Sequence, residues 1–289
     1  MATAHVNGIR LEFDVAGRGE DLVLLHGGSG RRQTFGPLRA HLHSWRTWAL
    51  DLRGHGQSAH TPGAYQLEQV ADDVAAFVGQ QLGGPAAVYG HSFGGHVALV
   101  LAAEHPGLVR ALAVGDAPLD PHRLHAHITS QRPMTLRWHQ LAASGLEPRA
   151  IARELEALPI TWGKAEPVPA RDVFGSGHPW FAEMGANLAA HDPDFLAAVA
   201  DRFWDTHRAL DPASLLPRLA CPVLVLQGDA AAGGLFGDAD VELLRRFATV
   251  PVEVIPFPGV GHGLHLQAPE KVALVLEVSL RALLSSDNS

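Results

Sequence analysis

Apolar positions fall into two kinds of pattern along this chain. Between Gly8 and Val15 they alternate, with Ile9, Leu11, Phe13 and Val15 separated by polar partners. A period of two predicts an antiparallel edge strand with one wet face. Elsewhere they run together. Leu22-Val23-Leu24-Leu25 is unbroken, and similar runs occupy Thr47–Leu50, Ala86–Tyr89, Ala111–Val114, Val223–Leu226 and Val252–Ile255. Short runs of this kind suit parallel strands buried on both faces.

Between the runs lie segments with helical character: Gln33 to Leu42, Leu67 to Leu82, Phe93 to Glu104, Val241 to Phe247 and Pro269 to Leu284. Asp238 precedes the fourth of these, and Asp240 and Glu242 lie in its first turn, where acidic groups favour the helix dipole. Strands alternating with helices predict an α/β class, a mostly parallel central sheet with helices on both faces.

One stretch breaks the alternation. From about Leu119 to Asp211 there is no clear strand, only helical fragments interrupted by prolines, and four tryptophans, Trp138, Trp162, Trp180 and Trp204, fall here. We read residues 119–211 as an inserted helical cap over the C-terminal edge of the sheet, and 1–118 with 212–289 as the core domain. Trp138, Trp162 and Trp180 are candidates to line a substrate pocket. The plainer alternative is that they pack a small core within the cap.

Composition narrows the function classes. The chain has 289 residues, 47% hydrophobic and 18% charged, with a formal net charge of −8. No basic run points to nucleic acid or an anionic membrane surface. Apolar stretches reach about a dozen residues before a break, too short to span a bilayer. The N-terminal residues lack a basic segment followed by an apolar one, so a cytoplasmic location is the default expectation. Cys221 is the single cysteine. It excludes an internal disulfide, and its place before an apolar run marks a buried structural thiol.

The chemistry concentrates at Val88-Tyr89-Gly90-His91-Ser92-Phe93-Gly94-Gly95, where a buried strand runs straight into a helix with serine at the turn. Such a turn strains the serine backbone and lifts its hydroxyl out of the sheet, and the flanking glycines allow close packing. Unpaired amides at the helix start can hold developing negative charge. Ser92 is therefore the candidate nucleophile. A serine that merely caps the helix is the bland alternative.

Three further segments accompany this turn: His26-Gly27-Gly28-Ser29-Gly30, Asp51-Leu52-Arg53-Gly54-His55-Gly56-Gln57-Ser58, and Gly259-Val260-Gly261-His262-Gly263. In these motifs, their order and their spacing, the chain resembles the α/β-hydrolases over nearly its whole length. The resemblance implies the α/β-hydrolase fold, no metal or cofactor, and a Ser-His-Asp triad. It places the oxyanion hole at the backbone amides of Gly28 and Phe93, with Ser29 and His91 near the substrate. It makes His262 the base, with His265 as rival. The family carries its acid in the loop after the strand at Val223–Leu226, three residues past a glycine, where this chain has Ala231. Asp229 is the first candidate, in a shortened loop. Asp116, after the preceding strand, is the alternative acid, and Asp238 or Asp240 comes last. Asp51 and Arg53 are expected to hold their loop by charge-assisted hydrogen bonds.

Other readings are weaker. His122, His125 and His127 form the tightest histidine cluster, but there is no His-Glu-x-x-His pattern or cysteine pair, so they read as a solvated cap surface. Position 33 is Gln, so the glycines after the second strand miss the dinucleotide pattern. Serine at the turn argues against epoxide hydrolases and haloalkane dehalogenases, which use aspartate. The expected activity is cleavage of a carboxylic ester or related acyl bond in a small hydrophobic substrate. Carbon–carbon hydrolysis, lactonase or thioesterase activity and a non-catalytic binding role stay open.

Overall fold

Leu22 to Leu25 are all inaccessible to solvent, yet they serve two different cores. Val23 and Leu25 join one apolar cluster and Leu22 and Leu24 another, on opposite faces of the same strand. Alternate side chains of a strand point to opposite faces, so an unbroken apolar run is what a sheet covered on both sides requires. Each Leu or Val so buried contributes roughly 1.5–3 kcal/mol.

The computed structural model describes residues 1–160 and 166–286. Its main sheet contains β1 (Ala2–Val6), β2 (Ile9–Gly17), β3 (Glu20–Leu25), β4 (Trp45–Leu50), β5 (Ala86–His91), β6 (Val109–Gly115), β9 (Val223–Gly228) and β10 (Val252–Phe257). The order is β1-β2-β4-β3-β5-β6-β9-β10. β2 pairs antiparallel with β1 and β4, and the other neighbours are parallel. The intervening β7 (Pro159–Ile160) and β8 (Val168–Pro169), two residues each, pair antiparallel as a separate sheet. On one face lie α1 (Leu67–Gln81) and α2 (Phe93–Glu104); on the other, the C-terminal helical segment from Pro269 packs beside Phe35 and Leu38.

Three expectations are corrected. The segment Gly8–Val15 is antiparallel but not an edge, because β1 covers it through a tight turn at Asn7-Gly8, both with positive φ. That pair supplies the turn geometry a two-residue hairpin needs. The helix expected over Gln33–Leu42 is two short turns, Arg32–Phe35 and Gly36–Arg39. The stretch expected to be free of strands carries the β7–β8 pair.

Between β6 and β9 the chain forms α3 (Pro121–Ser130), α4 (Arg132–Ala142), α5 (Pro148–Ala157), α6 (Pro179–Ala189) and α7 (Pro193–Asp201). The prolines that interrupt this stretch are helix starts: Pro121, Pro148, Pro179 and Pro193 each occupy a first helical position. There the missing N–H costs nothing and φ is already set. Asp120 and Asp192 add side-chain caps. A small core of Leu141, Ile151, Leu155, Phe181, Met184 and Leu188 binds α4, α5 and α6 together. This helical segment meets the loop after β4, where Asp192 N–H donates to Gly54 O at 2.8 Å and Tyr65 Oη–H donates to the Asp192 carboxylate.

Candidate active site

Ser92 stands at the junction of β5 and α2 with φ 53° and ψ −120°, a conformation that costs a non-glycine residue of order 1–3 kcal/mol. Its neighbours explain why the turn closes so tightly. A Cβ on Gly90 would lie 2.1 Å from Gly94 O, and one on Gly94 would lie 2.2 Å from Leu25 O. Only glycine permits these approaches. The Ser92 N–H is tied to Gly115 O at 2.9 Å, which locks the turn to β6.

His262 follows β10 and aims Nε2 at Ser92 Oγ, 3.0 Å away. Its Nδ1 lies 2.7 Å from Asp116 Oδ2. Nδ1 therefore carries the proton toward the carboxylate, and Nε2 is left to accept from serine. Asp116 is fully buried at the end of β6 and accepts N–H bonds from Gly228 (2.9 Å), Leu235 (2.8 Å) and Phe236 (3.1 Å). Burial alone would raise its pKa. The bond and charge of His262 and the backbone donors outweigh that and hold it below the usual carboxylate value.

Of the two candidate acids, the structure brings Asp116, the alternative, to His262, and not Asp229. Asp229 was the first candidate, but its carboxylate turns to the backbone, accepting from Ala231 N at 2.9 Å and Gly259 N at 2.7 Å. It caps its own loop and props the one that carries His262. The reason lies in the register: β6 and β9 are adjacent and parallel, with Gly115 opposite Leu226, so either strand end can present an acid beside the His262 loop. Gly228 decides between them, because a Cβ there would stand 2.8 Å from Asp116 Oδ1. Asp240 is also committed elsewhere, accepting from Leu119 N and Gly237 N and pairing with Arg123. Asp238 opens α8 (Asp238–Phe247).

The structure brings Gly28 and Phe93 together. A Cβ on Gly28 would lie 3.6 Å from Phe93 Cβ, and one on Gly27 3.3 Å from Ser92 Cβ. Phe93 begins α2, so its N–H has no partner within the helix. The Phe195 ring of α7 packs over both, 5.0 Å from the Phe93 ring.

His91 is buried, and Nε2–H donates to His262 O at 2.7 Å, so it braces the loop of the base. His265 packs 4.8 Å from the Phe35 ring and 4.7 Å from His91, buried away from Ser92 Oγ, to which His262 is bonded. Burial holds its pKa far below the imidazole value. His96 is spent on Pro118 O at 2.8 Å. Trp138 and Trp180 pack against the cap's own core, the plainer of the two readings. Trp162 lies outside the described residues. Ser29 is met through its carbonyl, which accepts from Asn187 Nδ2 at 3.0 Å. His122 and His125 lie over Trp204 at 5.0 and 5.1 Å.

The Asp51–Ser58 motif builds the wall behind the site. Asp51 accepts from Arg32 N at 2.7 Å and Gln57 N at 2.9 Å and pairs with the Arg32 guanidinium, while Arg53 grips Asp73 through Nε (2.5 Å) and Nη2 (2.7 Å). Two residues that the sequence did not single out, His191 and Asn187, touch the loop at Gly28 and Ser29. Both lie between β6 and β9, where no motif marks them. Cys221 is buried in the main core. Among the described residues no helix is long and apolar enough to cross a membrane.

A model of the alpha/beta hydrolase family matches residues 22–274. A putative carbamate hydrolase of Caulobacter segnis is 32% identical over 171 residues, 56% of this chain and 61% of that protein. A pimeloyl-[acyl-carrier protein] methyl ester esterase of Neisseria meningitidis is 41% identical over 94 residues, 32% of this chain and 28% of that protein. These stretches span less than two thirds of either relative. Among solved structures, a thermophilic esterase from Thermogutta terrifontis superposes with a TM-score of 0.69 at 25% identity, covering 98% of both chains. The enol-lactonase from Burkholderia xenovorans superposes with a TM-score of 0.71 at 19% identity over 97% of this chain and 100% of that one, a likeness of fold.

Proposed function

The chain belongs to the alpha/beta hydrolase family, and from that premise we propose that it cleaves a carboxylic ester or related acyl bond with Ser92 as nucleophile, His262 as base and Asp116 as acid. The observation that carries this reading is the hydrogen-bonded line from Asp116 through His262 to Ser92 at a strained strand-to-helix turn. Serine needs a base at neutral pH, and the base needs a partner that fixes its tautomer and stabilises its protonated form.

The reaction follows from these roles. Ser92 Oγ bonds to the carbonyl carbon while His262 Nε2 takes its proton. The oxyanion is held by the amides of Gly28 and Phe93. The carbon–heteroatom bond then breaks, the leaving group takes the proton from His262, and an acyl-serine remains. Water, deprotonated by His262, clears it as the free acid. No step calls for a metal or cofactor.

A non-catalytic binding role would fit a serine turn whose histidine lacked an acid partner. Asp116 at hydrogen-bond distance from His262 supports catalysis instead. The relatives' names, a carbamate hydrolase and a methyl ester esterase, agree with acyl chemistry. The site walls are apolar or occupied polar groups: Phe93 and Phe195 are buried there, and the neighbouring Arg31 is taken by Asn187 and Glu183.

The test is turnover of a panel of short p-nitrophenyl esters together with labelling by a fluorophosphonate and peptide mass spectrometry. Ester turnover with the label on Ser92 is the expected result. Label absent from Ser92, or full activity in Ser92→Ala, overturns the reading.

A further inference from the structure

The segment Gly27-Gly28-Ser29 has two successive glycines, so its own side chains do little to restrain its peptide planes. Restraint comes from outside. Gly27 O accepts from Gly30 N at 2.9 Å and faces His26 Nδ1 at 2.8 Å. Gly28 O faces two imidazoles, His55 Nε2 at 3.1 Å and His191 Nε2 at 2.9 Å. Ser29 O accepts from Asn187 Nδ2 at 3.0 Å, and Asn187 Oδ1 accepts in turn from Arg31 Nε at 2.8 Å. A peptide group is planar, so a pinned carbonyl also fixes the N–H across the same bond. Pinning the planes on both sides of Gly28 removes the rotation that a glycine otherwise keeps.

His191 lies in the turn between α6 and α7, and Asn187 lies on α6, so both belong to the cap. We propose that His191, seconded by Asn187, is a positioning residue for the oxyanion hole: it pins the peptide that follows Gly28, and with the preceding peptide pinned at Gly27 O this fixes the residue that carries the Gly28 amide. This deepens the serine-hydrolase reading above and rests on it. The cap then takes part in stabilising the transition state as well as covering the site.

The chemistry of His191 fits the role. Its ring is buried, edge-on to His55 at 4.4 Å and beside Phe195 at 5.3 Å. Its Nδ1 faces Asp192 O at 3.0 Å. Burial lowers its pKa, which favours a neutral ring with one N–H. His55 is placed alike, with Nδ1 at Arg53 O, 2.9 Å, and burial holds its pKa well down. Each neutral ring has one N–H between two carbonyls, and that of His191 is assigned to Nε2, toward the nearer acceptor, Gly28 O.

Two amide replacements separate positioning from packing. His191→Gln places an N–H where Nε2 was and keeps the reach to Gly28. His191→Asn places one near Nδ1, keeps the Asp192 contact and falls short of Gly28. We expect His191→Gln to hold kcat within about threefold on the best ester of the panel. His191→Asn should lose between about 10- and 10²-fold in kcat with KM little changed, the scale of a small misplacement of a reacting group. Its affinity for an alkyl boronic acid, a tetrahedral mimic, should fall by the factor lost in kcat/KM. Equal kcat in the two variants, or a loss confined to KM, overturns the inference. Fluorophosphonate labelling of the unaltered protein keeps the two ideas apart. An unlabelled Ser92 sinks the serine-hydrolase reading, whereas a labelled Ser92 with indistinguishable variants sinks only the role given to His191.

Discussion

Asp116 Oδ2 and His262 Nδ1 are 2.7 Å apart, and the same carboxylate gathers three backbone N–H groups from the end of β9 and the loop after it. Amides thus hold both carboxylate oxygens, and Oδ2 also faces the imidazole. Asp116 reaches this place with φ 47°, a left-handed conformation that aspartate tolerates better than most residues.

Replacement of the two candidate acids should give unlike results. Asp116→Asn leaves the shape intact but offers His262 a side chain that can donate, which favours the wrong tautomer. In serine proteases the same Asp-to-Asn exchange costs about 10⁴-fold in kcat, and a fall of roughly 10³-fold or more is expected here. Asp229→Asn removes only loop bonds to Ala231 and Gly259, so kcat should stay within a few-fold. Steady-state kinetics on one ester decides. Comparable losses in both variants would mean that Asp116 is not the partner of His262.

Much of this architecture could be read before any coordinates. Fully buried parallel strands must be unbroken apolar runs, and Leu22–Leu25 and Val223–Leu226 show that signature. The serine turn was legible because glycine is required at positions 90 and 94 by contacts of 2.1 and 2.2 Å. The acid was not legible, because counting residues past a glycine says nothing about which of two adjacent parallel strand ends faces the base. The Asn7-Gly8 turn was visible as a hairpin signal, yet the run before it is too short and polar to announce β1. The place of the tryptophans was open for a different reason. A cap of short helices needs a core of its own, and Trp138 and Trp180 help to fill it.

Strain at the nucleophile should be measurable as stability. Ser92 adopts φ 53° and ψ −120°, which glycine enters without a Cβ penalty. Ser92→Gly should therefore unfold later than Ser92→Ala, by about 1 kcal/mol, while both lose the nucleophile. Urea unfolding followed by circular dichroism reads the difference. A Ser92→Gly protein no more stable than Ser92→Ala would show that the turn stores no strain.

Buried histidines should make the protein acid-sensitive well above the range where carboxylates titrate. Burial places His26 and His96 at about 4 and His207 at about 3, against about 6.5 in an unfolded chain. Below pH 6.5 the unfolded chain binds protons that the folded one refuses, so stability falls with pH until these folded values are reached. Each ring adds about 1.4 kcal/mol per pH unit to that slope. Asp116, lowered in the fold, adds its loss only below the ordinary carboxylate range. The expected profile is a steep decline in urea-unfolding free energy between pH 6.5 and 4. His96→Gln, which keeps a donor for Pro118 O, should flatten it by one ring's share. An unchanged slope in that variant would remove His96 from the account.

His91 should matter to the base rather than to the substrate. Its Nε2–H holds His262 O at 2.7 Å, and its ring lies 4.8 Å from the His262 ring, so it sets the height of the loop from which the imidazole hangs. Burial moves its pKa down, which keeps the ring neutral with its proton on Nε2, where the carbonyl needs it. Loss of the brace lets His262 drift from Ser92 Oγ, and a displacement of about 1 Å can cost up to about 10²-fold. His91→Leu should accordingly lower kcat by about tenfold or more and leave KM nearly unchanged, whereas His91→Gln, with a donor at the Nε2 position, should recover most of the loss. A pocket-wall residue would instead move KM and the preference among acyl chain lengths in both variants. Kinetics across an ester series from acetate to octanoate distinguishes the two. A shift in chain-length preference with kcat preserved would assign His91 to the substrate and leave His262 braced by other contacts.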